Sequence, residues 1–386
     1  MKRKIIYSIM LLCTMFSLTG CWDSEELDDR HIVLELALDK AEDKAEDKEN
    51  KIGQGDYYEV TYTIPDIKKL SGQESLSDDV KTAMTTVSPT LVKSMDEIEA
   101  RIQNTITFSH LKAVIFGEEL LKDQQLFENA INSLSRNVEI SRGTNILAVQ
   151  GKASEITKGE NYQNPVLGLY IMNYFNNKAK ANGNVKQQSI GTILREIQNT
   201  GVATMPIITS VDKNTVQIGG AAVIKDYKLI GWLTQDEVRG MNFIRGDVEE
   251  VPIVIEYQGQ YLTYTISNKK TKIKFKDNDG IEAEIHLLVK GEITEGLSAM
   301  NNMIFSPEDI DAIEKILINK VNEKLQIVIE KEKSLGADFL NIELELYRKH
   351  PNLWRKYQSG TDEKSIKDIK INLHTDVVIE NTGIIE

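Results

Sequence analysis

Cysteine is almost missing from this chain: two in 386 residues, at positions 13 and 21. Cys13 lies inside the leading apolar run and Cys21 just after it. The body is left with no thiol for a disulfide, a nucleophile or a cysteine metal site. Aromatic residues make up only 6%, and no aromatic cage is visible. The five histidines (31, 110, 286, 350 and 374) are scattered, with no His-Glu-x-x-His pairing. There is no Gly-x-Ser-x-Gly elbow and no Gly-x4-Gly-Lys-Ser/Thr phosphate loop. No catalytic, cofactor-binding or metal-ligating set is therefore assigned, and the chain is read as a non-enzyme. Positive charge is also in deficit, with 46 Lys and Arg against 59 Asp and Glu, a net charge of −13. Such a surface is repelled by nucleic acid and by anionic lipid, and no basic stripe offsets it.

What is present begins with a tripartite N-terminus. Lys2, Arg3 and Lys4 precede an apolar run from Ile5 to Leu18. The run falls short of the roughly 20 residues that a spanning helix needs. Trp22-Asp23-Ser24-Glu25-Glu26 then stops it abruptly, so residues 1–20 read as a secretory signal peptide rather than as part of the fold. Leu18-Thr19-Gly20-Cys21 resembles the lipobox of bacterial lipoproteins, which makes Cys21 the lipid-attachment site. Two acyl chains on that residue give a stable anchor where one gives only marginal binding. An ordinary secreted protein with a cysteine beside its cleavage site is the competing reading. Losing residues 1–20 removes three basic residues and no acidic one, which leaves the mature body more acidic still.

The rest of the chain is long enough for two or three domains. Residues 21–31 form a short tether that keeps the body near the membrane. Ile32–Leu38 reads as a strand. Residues 41–51, with Ala-Glu-Asp-Lys written twice, read as a solvated hairpin loop rather than an interaction arm. Tyr58, Val60, Tyr62 and Ile64 alternate along a returning strand that Pro65 ends. Ser94-Met95-Asp96-Glu97 is a capping box and predicts a helix carrying Ile98, Ile102 and Ile106. Buried strands at Leu111–Phe116 and Asn145–Val149, separated by a helix near 118–135, predict a parallel βαβ unit. Residues 158–213 read as irregular. Strands follow at 216–224, 228–233, 251–257, 262–267, 272–276 and 281–289, with a helical turn near 235–243. Asp277-Asn278-Asp279-Gly280 is a poor calcium loop, because its glycine comes too early and Leu288 stands where the bidentate Glu belongs. A hairpin turn accounts for it better. Ser306-Pro307-Glu308-Asp309 caps a long helix striped by Ile310, Ile313, Leu317, Val321, Leu325 and Val328. A second helix covers about 338–349, and residues 369–379 alternate as a final strand. The expected fold class is α+β or mixed α/β, with three sheet-based domains behind the anchor. Residues 32–210 form an N-terminal α/β region that divides near 155, and 211–386 form a C-terminal α+β domain.

Several segments match one family in order. Gly20-Cys21-Trp22-Asp23 with Glu26-Leu27 opens the match. Ser109-His110-Leu111-Lys112, Phe116-Gly117-Glu118 and Gln150-Gly151-Lys152-Ala153-Ser154-Glu155-Ile156 continue it. Gly219–Val223, Leu229-Ile230-Gly231, Glu237, Arg239-Gly240 and Phe243-Ile244 follow. Arg348-Lys349-His350-Pro351-x-x-Trp354 and Asn381-Thr382-Gly383-Ile384 close it. Together they resemble the GerAC-like lipoproteins, the C subunits of spore germination nutrient receptors. The chain departs from the family pattern in its longer charged insert at 41–51 and around Arg136-Asn137-Val138-Glu139, which lacks the family's aspartate and proline. The resemblance implies three α/β domains on mixed sheets and no catalytic residues. It also implies two integral membrane partners, one large and one transporter-like, on the outer face of the spore inner membrane, with no direct small-molecule ligand on this chain. Glu237, Arg239 and Gly240 are the candidate partner-contact residues, against a structural salt bridge and a turn glycine. A solute-binding lipoprotein of an importer is the rival function. It would need two lobes and a deep cleft.

Cys21→Ala is expected to leave a soluble or uncleaved precursor without lipid. Mass spectrometry of the mature N-terminus checks this, and an unmodified cysteine on membrane-bound protein would refute it.

Overall fold

The computed structural model describes residues 30–42, 56–66, 69, 80–159, 164–177, 185–246, 252–278, 280–296, 305–359 and 365–381. The signal peptide, Cys21, most of the tether and residues 43–51 of the charged insert lie outside them. The fold is mixed α+β, built on mixed sheets. The first half runs β1 (Arg30–Ile32), β2 (Glu35–Lys40), β3 (Tyr58–Pro65), β4 (Lys81–Ser88), α1 (Leu91–Glu99), β5 (Thr105–Thr107), β6 (Ala113–Phe116), α2 (Glu118–Lys122), α3 (Gln124–Arg136), β7 (Asn145–Ala148), α4 (Ala153–Lys158), α5 (Leu167–Asn176) and α6 (Ile190–Thr200). The second half runs β8 (Val202–Asp212), β9 (Thr215–Lys225), β10 (Lys228–Leu233), α7 (Gln235–Arg245), β11 (Pro252–Tyr257), β12 (Gln260–Asp277), β13 (Ile281–Gly296), α8 (Pro307–Leu335), α9 (Ile342–Lys349), α10 (Pro351–Gln358) and β14 (Lys370–Asn381).

Eight strands form one sheet in the order β10-β9-β8-β7-β6-β2-β3-β4. Its middle is parallel: β2 pairs with β6, and β6 with β7, as the βαβ reading expects. Its flanks are antiparallel hairpins. A four-stranded sheet, β11-β12-β13-β14, carries the C-terminal half, and β1 pairs with β5 in a small parallel ribbon. In the parallel middle, Val114 and Phe116 enter one core while Ala113 and Ile115 enter the core on the opposite face. Strands covered on both faces read as continuous apolar runs, which is why they were visible in the sequence.

The division expected near residue 210 falls inside the β8–β9 hairpin, whose strands pair from Val202↔Lys225 to Asp212↔Thr215. The turn after β9 places Asp226 and Tyr227 at φ of 48° and 63°. Two positive φ values give the tight hairpin turn whose twist matches the flanking strands.

Several local readings are corrected. Thr90, not Ser94, caps α1, accepting a bond from Lys93 N at 3.1 Å. Ser94 is buried inside the helix, its hydroxyl 2.6 Å from both Tyr62 Oη and Thr86 Oγ1. Ile102 falls after the helix and Ile106 lies in β5. Asp123 splits the helix expected over 118–135 by capping a new one at Leu126 N, 3.1 Å away. Residues 158–213 contain α5, α6 and the whole of β8, and β4 and α10 were not anticipated. Strand β4 is half-exposed, and its Thr-rich run lacks apolar alternation. The two strands expected at 262–267 and 272–276 are one, β12, with a register shift between Ile266 and Asn268. The polar Asn268-Lys269-Lys270 stretch imitates a turn because Lys269 and Thr271 donate to the carbonyls of Asn242 and Phe243 at the end of α7. Helix α9 begins at Ile342, and the carboxylate of Asp338 caps it through Ile342 N and Leu344 N, at 2.6 and 3.0 Å. The long helix α8 is as read, with Ser306 and Asp309 in a capping box.

Ile224 is fully buried in the larger N-terminal core, whereas Val138 is 99% exposed. Ile224→Ala is expected to lower stability by about 2–5 kcal/mol through lost burial and a residual cavity. Val138→Ala should stay within about 0.5 kcal/mol. Denaturant titration of both variants checks the contrast.

Candidate functional site

Two of the segments that carried the resemblance, Phe116-Gly117-Glu118 and Gln150–Ile156, meet at one end of the eight-stranded sheet. Strands β2, β6 and β7 run parallel, so Asp39 near the C-terminal end of β2 lies beside Gly117 and Gly151–Ser154, which follow β6 and β7. In open α/β sheets this edge is where ligands bind, often against a helix N-terminus. Here the chain occupies it with its own carboxylate. Asp39 accepts from Ala153 N at 2.7 Å and Ser154 N at 2.9 Å. It thereby supplies the cap that Lys152, at the N-cap position of α4, does not. Gly117 lacks a side chain because a Cβ there would lie 1.9 Å from Asp39 Oδ1. Glu118 N donates to Gly151 O at 2.9 Å, and Gly151 N to Glu118 Oε2 at 3.2 Å, closing the loops over one another. Burial pushes the Asp39 carboxyl up, and the two backbone donors hold it back.

Glu35 repeats the device four residues earlier on the same face of β2. Its carboxylate accepts from Gly168 N at the start of α5, whose N-cap residue Val166 offers no side-chain cap. Gly168 has no room for a side chain, since a Cβ would sit 2.6 Å from Leu34 O. Glu35 is fully buried, and burial pushes its carboxyl up to about 7 against the opposing pull of Lys81, Gly168 N and Thr63. Lys81 donates to Thr157 O and Gly159 O, at 2.7 and 2.9 Å, at the C-terminal end of α4. One strand thus ties two helices to the sheet through buried charge-bearing groups.

The later matching block forms β9, β10 and α7. Gly220 has φ of 78°, and a Cβ would approach Leu233 O to 2.6 Å. Glu237 completes a capping box with Thr234, accepting from Thr234 N at 2.7 Å. Arg239 pairs with Asp236 at 3.3 Å rather than with Glu237. Gly240 is buried where α7 crosses α8, a Cβ there falling 3.2 Å from Val328 Cγ1 and 3.3 Å from Lys324 O. It is a helix-crossing glycine rather than a turn glycine. Glu237 and Arg239, half-exposed, share this helix with it. At the family departure, Val138 is exposed while Glu139 Oε2 accepts from Phe108 N at 2.9 Å and pins the preceding loop.

Two further features were not legible in the sequence. Tyr58, Leu91, Met95, Asn129, Asn132 and Arg136 help line an open groove of about 610 Å³ beside α1 and α3. On the solvent face of the C-terminal sheet, His286 and His374 stack with centroids 4.8 Å apart, next to Glu284. Only Glu284-x-His286 is local in sequence; His374 arrives through β13–β14 pairing. Among the described residues, no helix is long and apolar enough to cross a membrane.

Comparison with known proteins decides what the fold belongs to. Residues 23–210 match the spore germination protein N-terminal domain, and residues 219–383 match the C-terminal domain described as spore germination B3/GerAC like. The chain belongs to the GerAC-like spore germination family. Spore germination protein B3 of Bacillus subtilis (strain 168) is 24% identical over 94% of this chain and 94% of its own. Spore germination proteins A3 and KC of the same organism are 24% and 21% identical over 99% and 100% of this chain, and 98% and 97% of their own. The crystal structure of the GerBC protein shares the fold, with a TM-score of 0.58 at 20% identity, covering 93% of this chain and all of that one. These are names of germination proteins and none is that of an enzyme, as expected from the residues. The two GerAC-like models meet close to residue 210, although the β8–β9 hairpin carries the sheet across that point.

The raised Glu35 value fixes a direction for pH dependence. The folded protein holds this proton more tightly than the unfolded chain, whose carboxyl keeps its ordinary 4.5. The stabilisation is complete below about pH 4.5 and is lost as pH rises through about 7. It amounts to roughly 3 kcal/mol at most. Asp338, pushed up to about 7 by burial, and Glu332, also raised, contribute in the same sense. Glu35→Gln is expected to shrink, without abolishing, the fall in melting temperature between pH 5 and pH 8. Identical slopes in wild type and variant would refute this.

Proposed function

We propose that this protein is the lipid-anchored C subunit of a nutrient germinant receptor. It sits on the outer face of the spore inner membrane through Cys21 and acts as a scaffold or coupling subunit in triggering germination. The observation that carries this reading is the ordered match to both GerAC-like domains over residues 23–210 and 219–383. The closed end of the parallel strands supports a scaffold over a receptor pocket. Where a ligand would bind, Asp39 and the start of α4 already satisfy one another. The partners proposed are two integral membrane subunits, one large and one transporter-like. The half-exposed Glu237 and Arg239 beside Gly240 are the proposed contact, because capping and packing hold their helix rigidly against α8.

Affinity purification of the tagged chain from spore membranes is expected to recover two polytopic subunits. Recovery of a permease with an ATPase would instead support the importer. Calorimetry of residues 22–386 against amino acids, sugars and nucleosides should show no saturable binding. A dissociation constant below about 1 mM would move the nutrient site onto this chain.

A further inference from the structure

We propose that Glu284, His286 and His374 form a binding site for a first-row divalent transition metal ion, zinc being the best fit, on the solvent face of the C-terminal sheet. Strands β13 and β14 are parallel, and their register sets His286 directly beside His374. Neighbouring strands lie about 4.8 Å apart, so directly paired residues project side by side from one face. The two rings accordingly stack 4.8 Å apart with 18° between their planes. Glu284 precedes His286 by two positions on β13 and shares that face, because side chains alternate along a strand. One ligand atom from each of the three residues lies within 4.8 Å of the others, and His286 Nε2 is 3.7 Å from Glu284 Oε2. Tetrahedral zinc with bonds near 2.0–2.1 Å holds its ligand atoms about 3.3 Å apart. Small side-chain rotations close that gap, and His374 is exposed and has room for them.

A second observation points to a ligand. His286 Nε2 is shielded from solvent and has no hydrogen-bond partner among the described residues. Its distance of 3.7 Å from Glu284 is too long for a hydrogen bond. A shielded polar atom of this kind calls for a partner, and a cation shared with the adjacent imidazole and carboxylate supplies one. Glu284 is prepared for this. Lys276 binds its Oε1 and leaves Oε2 facing His286. Lysine here acts on the ligand's far atom, as outer groups at metal sites orient the inner ones.

Two imidazole nitrogens and one carboxylate oxygen suit zinc, cobalt, nickel or copper; magnesium and calcium take oxygen ligands. Three protein ligands leave one position open to solvent. Lys272 and Lys274, paired with His286 and Glu284 across β12, add positive charge beside the site and keep the affinity moderate. Bound there, the ion would clip β14, the last strand described, to β13, an inner strand of its sheet.

The test uses the full mature chain in detergent, stripped with chelator and titrated by calorimetry with zinc chloride, then with magnesium chloride. One zinc per chain is expected, with a dissociation constant below about 100 µM, a higher melting temperature, and no magnesium response. His286→Ala and His374→Ala should each weaken zinc binding at least tenfold, while His110→Ala, on an exposed loop, leaves it unchanged. Glu284→Gln, a near-isosteric surface change, gives a second measure should either alanine variant fail to fold, and it too should weaken binding. Absence of saturable zinc binding in the wild type would overturn the proposal, as would binding that survives unchanged in the folded variants.

Discussion

The β8–β9 hairpin is the element on which the arrangement of the whole chain depends, because its side chains enter all three hydrophobic cores. Ala203, Met205, Ala222 and Ile224 face the core beneath α1, α3 and α6. Ile208 and Ile218 join the core under α4 and α5. Val202, Ala221 and Val223 join the core built by the C-terminal sheet and α8. A strand has two faces, and shifts in register let one hairpin serve three partners. Pairing is displaced between Pro206 and Ile208. Gly220, at positive φ and too close to Leu233 O for a side chain, sits where β9 leaves one core for the next. The halves recognised as two family domains therefore share buried side chains, and separating them would expose apolar surface at about 25 cal/mol per Å².

Buried carboxylates supply the second constraint. Glu35 and Asp39, on one face of β2, satisfy the starts of α5 and α4, which have no side-chain caps of their own. Taking a carboxyl out of water is costly, and the backbone donors offset that cost. The same groups fill the edge of the parallel strands where folds of this kind commonly hold a ligand. In this chain that edge is filled by its own side chains. Among the described residues, the groove beside α1 and α3 and the outer face of the C-terminal sheet are open to the surroundings.

The sequence by itself determined the elements that bury two faces or carry a complete cap. The apolar runs of β6 and β7, the Ser306-Pro307 start of α8 with its stripe, and the alternation of β3 and β14 were all legible. So were the family and the absence of familiar catalytic motifs, since both depend on residues close together in the chain. Only the tertiary structure decided the rest. Ser94 looks like a cap until Tyr62 and Thr86 enclose it, and Asn268-Lys269-Lys270 looks like a turn until α7 receives Lys269 and Thr271. Gly117 gains its meaning from Asp39, and Gly240 from α8. His286 and His374, far apart in sequence, become neighbours only through the register of two parallel strands. Periodicity reports which face of an element is apolar; it carries no information about which element will cover that face, and it is the covering element that turns an ordinary residue into a cap, a crossing point or a ligand.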